Sequence, residues 1–235
     1  MQALVISPHP DDAELGMGAA IAQMTDLGWE VILVDLTDGE PTPFGSKERR
    51  KAEADRASKI LGLQDRLCLD MPNRHLEASL ENRQRLAEVI RRYRPDMIFG
   101  PLPDDHPDHI ATAELVVAAR FEAKLHKTNL PGEPHWVATS LQYYSMHTRQ
   151  HQSPSFILDV TKFWRQKVAS IESYESQLAN SAPPNTLSLL KRVEIAGRYF
   201  GMCGGVQYGE PFIAASPVTL CSLSCLTAEY YHSRA

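Results

Sequence analysis

Residues 2–28, QALVIS–PHPDD–AELGMGAAIAQMTDLG, decide the fold. QALVIS (2–7) is a short, nearly continuous apolar run, the signature of a strand buried on both faces. Residues 13–28 carry small and apolar side chains at helical spacing and stop at Gly28, a helix C-terminal signal. Between them stand one imidazole and two adjacent carboxylates, which no turn requires.

The same alternation continues along the chain. EVILVDLTDGE (30–40) reads as a second strand running into a polar loop, and SKERRKAEADRASKILGL (46–63) as a helix. DRLCLDM (65–71), LENRQRLAEVIRRYRP (80–95), DMIFGPL (96–102) and HIATAELVVAARFEAKL (109–125) read as strand, helix, strand and helix. TSLQYYSM (139–146) and SFILDV (155–160) are further strands, TKFWRQKVASIESYESQL (161–178) one long helix, and 187–200 another. Strands alternating with helices require parallel crossovers. The expectation is an α/β, Rossmann-like, mostly parallel sheet with helices on both faces, forming a single domain over 1–235 whose last 35 residues close the fold.

Composition narrows the partners. Charged residues make up 23% of the chain and the formal net charge is −5, which gives no electrostatic case for nucleic acid. The basic runs SKERRK (46–51) and RRYR (91–94) fall in helical segments and read as solvated faces. No apolar stretch is long enough to span a membrane. The N-terminus reads as strand and not as a signal peptide, so the expected location is cytoplasmic. Cys68, Cys203, Cys221 and Cys225 include no CxxC pair and read as reduced, structural thiols, although Cys221 and Cys225 are close enough for a disulfide or a metal.

A second polar cluster, DDHPDH (104–109), follows the 96–102 strand as PHPDD follows the first. Ligands of open α/β sheets bind beyond the carboxyl ends of strands. That brings His9, Asp11, Asp12, His106, Asp108 and His109 into one crevice. Three protein ligands with an open position are the pattern of catalytic zinc. His9 and Asp12, three apart, converge across one turn, and His109 supplies the third ligand, leaving His106 free. Asp11 is then the general base, His106 the group that stabilises the oxyanion or feeds the leaving group, and Asp108 an orienting partner of an imidazole. Asp11 or Asp12, and equally Asp104 or Asp105, would also serve as ordinary helix N-caps. Two His-Pro-Asp units at two strand ends weigh against that reading, since caps need neither histidine nor proline. There is no GxSxG elbow, Walker A sequence or GxGxxG.

PHPDDAELGMG, TDGEPTPFGSKERRKAEADRASKILGL, HPDH and YGEPF together resemble the LmbE-like, or PIG-L, zinc-dependent deacetylases, nearest the branch that deacetylates N-acetylglucosaminyl malate in bacillithiol synthesis. The resemblance implies zinc on His9, Asp12 and His109, Asp11 as base, and His106 partnered by Asp108 at the tetrahedral intermediate. It places Arg50 where relatives hold substrate hydroxyls, with Arg49 adjacent. Asn73, in PNR where relatives have PDG or PDR, joins Arg50 as a substrate contact, and Asp105 stands where near relatives have arginine. The implied activity is removal of the acetyl group from an N-acetylglucosamine-containing small molecule. Iron(II) fits the same donors. The resemblance further implies a homo-oligomer, a hexamer among the options, with Tyr208–Phe212 on the rim of the site. Two alternatives stand beside it: an amidase acting on a thiol–sugar conjugate through the same metal, and a non-catalytic sugar- or nucleotide-binding module. The histidines at 126, 135, 147 and 151 include a candidate substrate contact.

Overall fold

The computed structural model describes residues 1–147, 152–179 and 186–219. Four strands and four helices alternate through the first half: β1 (Gln2–Ser7), α1 (Asp12–Asp26), β2 (Glu30–Asp35), α2 (Lys47–Leu61), β3 (Asp65–Cys68), α3 (Leu80–Tyr93), β4 (Met97–Pro101) and α4 (Pro107–Ala123). Then come β5 (Thr139–Tyr143), β6 (Phe156–Asp159), a 3-10 turn (Thr161–Phe163), α5 (Trp164–Glu172), α6 (Glu175–Leu178), α7 (Leu189–Gly204) and β7 (Gly209–Ala214). The sheet runs β3-β2-β1-β4-β5-β7-β6. Its first five strands are parallel, and β7 runs antiparallel to both β5 and β6. The expected α/β class with a mostly parallel sheet is what forms. No helix among the described residues is long and apolar enough to cross a membrane.

Period-two alternation in the central strands separates two cores. Ala3, Val5, Val31 and Leu33 face the layer of α1 and α5, whereas Leu4, Ile6, Ile32 and Val34 face α3 and α4. All eight are fully buried, which is why these strands read as unbroken apolar runs. Helix boundaries follow local chemistry. Ser46 caps α2 by accepting from Arg49 N–H, and Gly62, at φ 71, ends it. At α4 the cap is His106, whose Nδ1 accepts from Asp108 N–H, with Pro107 in the first turn. Neither Asp104 nor Asp105 caps that helix.

Two expectations are corrected. The helix foreseen over 161–178 is interrupted at Ser173–Tyr174. Ser170 and Ser173 donate their hydroxyls back to Lys167 and Ala169 carbonyls, which weakens the helix. Tyr174 is drawn inward to donate to Glu14 Oε1 at 2.7 Å. The second correction concerns Tyr208–Phe212, which form no rim. Tyr208, Glu210 and Phe212 are buried in or beside β7, and Tyr208 stacks on Trp164 at 4.3 Å between ring centroids.

Glu210 explains its place in that motif. Helix α1 breaks at Met17 (φ −143, ψ 26), leaving backbone donors exposed in its interior. The Glu210 carboxylate accepts from Ala19 N–H at 3.2 Å and Ala20 N–H at 2.7 Å, and Lys167 Nζ neutralises it at 2.6 Å. Gly16, just before the break, is required because a Cβ there would stand 2.4 Å from the Tyr143 ring. Glu210→Gln keeps one acceptor oxygen but loses the charge from all three interactions, and should cost about 1.5–3 kcal/mol in denaturant unfolding. A midpoint within error of the parent would remove Glu210 from this role.

Cys68 and Cys203 are free, in keeping with the reading of reduced thiols, and both are exposed, so a structural role in the core is not what they have. Cys221 and Cys225 lie outside the described residues.

Candidate metal centre

Strands β1 and β4 are neighbours, yet the chain leaves them in opposite directions across the sheet: β2 and β3 lie on one side, β5 on the other. This is the topological switch point, where the connections part and open a crevice. The β1–α1 and β4–α4 connections both end there. His9 and Asp12 come from the first, and His109 from the first turn of α4.

One ligand atom from each of His9, Asp12 and His109 lies within 4.8 Å of the others. Asp12 Oδ2 is the hub, 2.8 Å from His9 Nδ1 and 3.3 Å from His109 Nε2. The outer nitrogens are held by further carboxylates: His9 Nε2 is 2.9 Å from Asp108 Oδ2, and His109 Nδ1 is 2.7 Å from Asp104 Oδ2. Metal-binding histidines need this arrangement, one nitrogen fixed and the other free. His109 Nε2 is buried and has no hydrogen-bond partner; Asp12 is near enough to attract it but not aligned to bond it. An orphaned imidazole nitrogen among His and Asp donors fits a divalent cation.

The electrostatics point the same way. Burial lowers the pKa of His9, but Asp108 and Asp12 more than offset it and lift it to about 9. Burial likewise opposes His109, and Asp12 with Asp104 raises it to about 10. Burial pushes Asp12 up, yet the two imidazoles hold it well below the carboxylate range. Without a cation these imidazoles carry protons, which a divalent ion would displace.

Asp11 occupies the N-cap position of α1 at φ 109, and its side chain caps nothing. Burial raises it to about 7 against the opposing pull of Arg50. Arg50 lies only 3% exposed behind the loop, not on a solvated helix face. Its Nη2 donates to Pro10 O at 2.5 Å, its Nη1 is 3.3 Å from Asp11 Oδ2, and it sits over the Tyr174 ring. Arg49, by contrast, is half exposed and pairs with Glu53. Asp108 engages His9 through its carboxylate, with Arg74 and Leu76 N–H groups donating to it at 2.8 and 3.2 Å. The imidazole it orients is therefore His9, not the expected His106, which it meets only through its backbone N–H. Asn73 is half-buried in the turn that delivers those N–H groups.

Two contributors, Asp104 and Ser145, escape the sequence reading, and His147, one of the four histidines singled out there, joins the cluster. Asp104 orients His109 and accepts from His106 N–H at 2.7 Å. Its signal was present, an acid five residues before the ligand, but it read equally well as a cap. Ser145 bonds Asp104 from the end of β5. His147 brings a fourth ring to the cluster, 5.4 Å from His109 and 5.8 Å from His106. Only the pairing of β5 with β4 makes those two visible. His135 is spent on Pro95 O at 2.9 Å, and His151 lies outside the described residues. A cavity of about 380 Å³ between α1, α5 and α7 touches the centre through Ser145 but is lined by none of His9, Asp12 and His109. Asp104→Asn should weaken metal affinity about 10–100-fold, measured by chelator competition; unchanged affinity would make its bond to His109 incidental.

The fold and site define an α/β protein with a His/Asp/His divalent-metal centre at its switch point. Comparison with known proteins makes the class specific. The family model described as PIG-L, GlcNAc-PI de-N-acetylase, matches residues 4–120, and the chain belongs to this PIG-L/LmbE-like family. It is 29% identical to diacetylchitobiose deacetylase of Thermococcus kodakarensis over 223 residues, 88% of this chain and 80% of that protein. It is also 29% identical to 4-oxalmesaconate hydratase of Pseudomonas putida over 196 residues, 74% of this chain and 73% of that protein. A conserved protein of Thermus thermophilus, solved by crystallography, superposes with a TM-score of 0.85 at 38% identity, covering 93% of this chain and 96% of that one.

Proposed function

We propose that this protein is a divalent-metal-dependent hydrolase that removes the acetyl group from an N-acetylglucosamine-containing small molecule. The observation that carries the reading is the convergence of His9, Asp12 and His109 with a non-ligating carboxylate, Asp11, beside them. The deacetylase relative supports the substrate class. Zinc is the proposed ion, with iron(II) as the alternative for the same donors. Exposed apolar side chains on two helices, Val117 and Phe121 of α4 and Ile195 and Met202 of α7, support a homo-oligomer, and the protein is proposed to act in the cytoplasm.

An ion on these three ligands supplies Lewis acidity, polarising a carbonyl and making water a nucleophile near neutral pH. The chain supplies the rest. Asp11 takes the proton from the attacking water. His106, whose ring meets the His9 ring edge-on at 5.1 Å, offers a donor to the developing oxyanion. The proton held on Asp11 passes to the amine as the C–N bond breaks, giving acetate and the free amino sugar. Arg50, through Pro10 O and Asp11, holds the loop that carries the base. Arg50 and Asn73 remain the proposed contacts for sugar hydroxyls.

A panel of N-acetylated amino sugars, free, malate-linked and oligomeric, tests the reading by amine release. 4-Oxalmesaconate belongs in the same panel, because the hydratase relative is 29% identical over 74% of this chain. Stripping the protein with a chelator should abolish amine release, and one equivalent of zinc per chain should restore most of it. Hydration of 4-oxalmesaconate without amine release from any sugar would transfer the reading to the hydratase class.

A further inference from the structure

We infer, resting on the hydrolase reading above, that the apolar cavity between α1, α5 and α7 is an acyl subsite, and that this protein also hydrolyses N-acyl amino sugars whose acyl group is a medium-length alkyl chain. At about 380 Å³ the cavity falls within the size range of small-ligand pockets.

The cavity and the metal centre lie at one end of the sheet. β7 runs antiparallel to β5 with Phe212 opposite Tyr143, so residues 209–211 project past the carboxyl end of β5, beside the end of β4 that delivers His106 and His109. Those residues line the cavity, and Leu15 and Gly16 form another wall. Leu15 and Gly16 stand three and four residues after Asp12 in α1, on the helix face that carries this ligand. Tyr144, Ser145 and Met146 line the approach from β5. Ser145 bonds Asp104, and the residue after Met146 is His147 of the imidazole cluster. The cavity therefore begins one helical turn from Asp12 and one residue from His147.

Its position selects the acyl end of the substrate. In the order β3-β2-β1-β4-β5-β7-β6 the proposed sugar contacts lie on the β2–β3 side of the centre, Arg50 on the helix after β2 and Asn73 after β3. The cavity lies on the β5–β7 side. The nitrogen and the acyl chain diverge from an amide carbonyl carbon, so a sugar held on the first side points the chain toward the second. The lining suits an alkyl group. Tyr144, Trp164, Val193, Ala196 and Phe200 supply apolar surface. The buried charges in the wall neutralise each other: Lys167 Nζ is 2.6 Å from Glu210 Oε1, and the Glu210 carboxylate also accepts from Ala19 and Ala20 N–H. Arg192, the other charged lining residue, is exposed on α7 and keeps its charge in water. Among the described residues the wall thus offers no unpaired buried charge to an ionic ligand, and an alkyl chain gains by leaving water. The reaction balances as it does for acetate: water adds to the carbonyl, the C–N bond breaks, and an alkyl carboxylate and the amino sugar leave, with the acid's proton carried by the amine.

The test is amine release by the metal-loaded protein from N-acetyl-, N-butanoyl- and N-hexanoylglucosamine, with octyl N-acetylglucosaminide carrying the alkyl chain on the sugar instead. Burying one added methylene is worth about fourfold, so kcat/KM for the hexanoyl sugar should exceed that for the acetyl sugar at least about tenfold. The octyl glycoside should show no such gain. Ala196→Phe fills the cavity from α7, and Leu187→Asp places a charge at a lining position that is 52% exposed. Each should lower the hexanoyl-to-acetyl ratio of kcat/KM at least about tenfold, the first by occupying the space and the second by making the lining polar. Acetyl turnover with the hexanoyl sugar no better, a gain that follows the octyl glycoside instead, or a ratio unchanged in both folded variants overturns the acyl subsite and leaves the hydrolase reading standing. No amine from any of these sugars, the acetyl one included, overturns the hydrolase reading, and the acyl subsite falls with it.

Discussion

Asp11→Asn is expected to lower kcat about 10²–10⁴-fold while leaving one metal ion per chain, the span that a positioned general base contributes. The substitution is close to a pure removal of basicity. Asn has the same size and still accepts from Arg50. Its backbone suits the conformation, because Asx residues are the non-glycine residues that enter positive φ most readily, and Asp11 sits at φ 109. Asp11 is not among the converging metal donors, so elemental analysis should match the parent. The carboxylate caps nothing, so the stability change should be confined to the loss of its charge beside the buried Arg50, which keeps Pro10 O as an acceptor. The split between metal content and turnover is the informative result. Variant and parent turning over at equal rates would leave the mechanism without its base, and loss of the ion would make Asp11 a ligand.

The comparison of sequence and structure follows a physical line. The strand–helix alternation, and with it the meeting of His9, Asp12 and His109, is legible because central strands and strand-end loops are local features whose consequences topology makes global. What topology adds late is harder to see. β7 enters the sheet between β5 and β6 only through antiparallel pairing, so YGEPF reads as a site rim until its partners are known. The partner of Asp108 is legible only as "an imidazole", because three imidazoles share the crevice and the choice of His9 is set by the turn carrying Arg74 and Leu76. Arg50 and Arg49 are neighbours in a basic run, and only burial tells them apart. The break in the helix over 161–178 depends on Glu14, 160 residues from Tyr174 in sequence.

That same Glu14 belongs to a buried network that should dominate stability. Arg66 Nη1 is 2.6 Å from Glu14 Oε1, and its Nε and Nη2 reach the Asp35 carboxylate at 2.7 and 3.0 Å. The three side chains are 8%, 0% and 4% exposed. Arg66→Met leaves two carboxylates buried without their cation, which is expected to cost about 3–5 kcal/mol and to lower Tm by on the order of 10 °C. The network ties the first turn of α1, which carries Asp12, to β2 and β3, so metal affinity should weaken as well. The pH dependence has a definite sign. Burial lifts Asp35 from 3.8 to about 6 against the pull of Arg66. The unfolded chain therefore ionises this group first, and its contribution to the folded state is greatest below about pH 4 and declines as pH rises toward 6. Without Arg66 the opposing charge is gone, and the decline becomes steeper and continues higher. The stability gap between parent and variant should then be wide at pH 7 and narrow as pH approaches 4. Adding Asp35→Asn to Arg66→Met should recover part of the loss at pH 7, because it removes one of the stranded charges. Denaturant unfolding of the four proteins of that cycle measures the coupling directly. A gap that stays constant with pH, or a double variant no more stable than Arg66→Met, would mean that Arg66 contributes packing and not neutralisation.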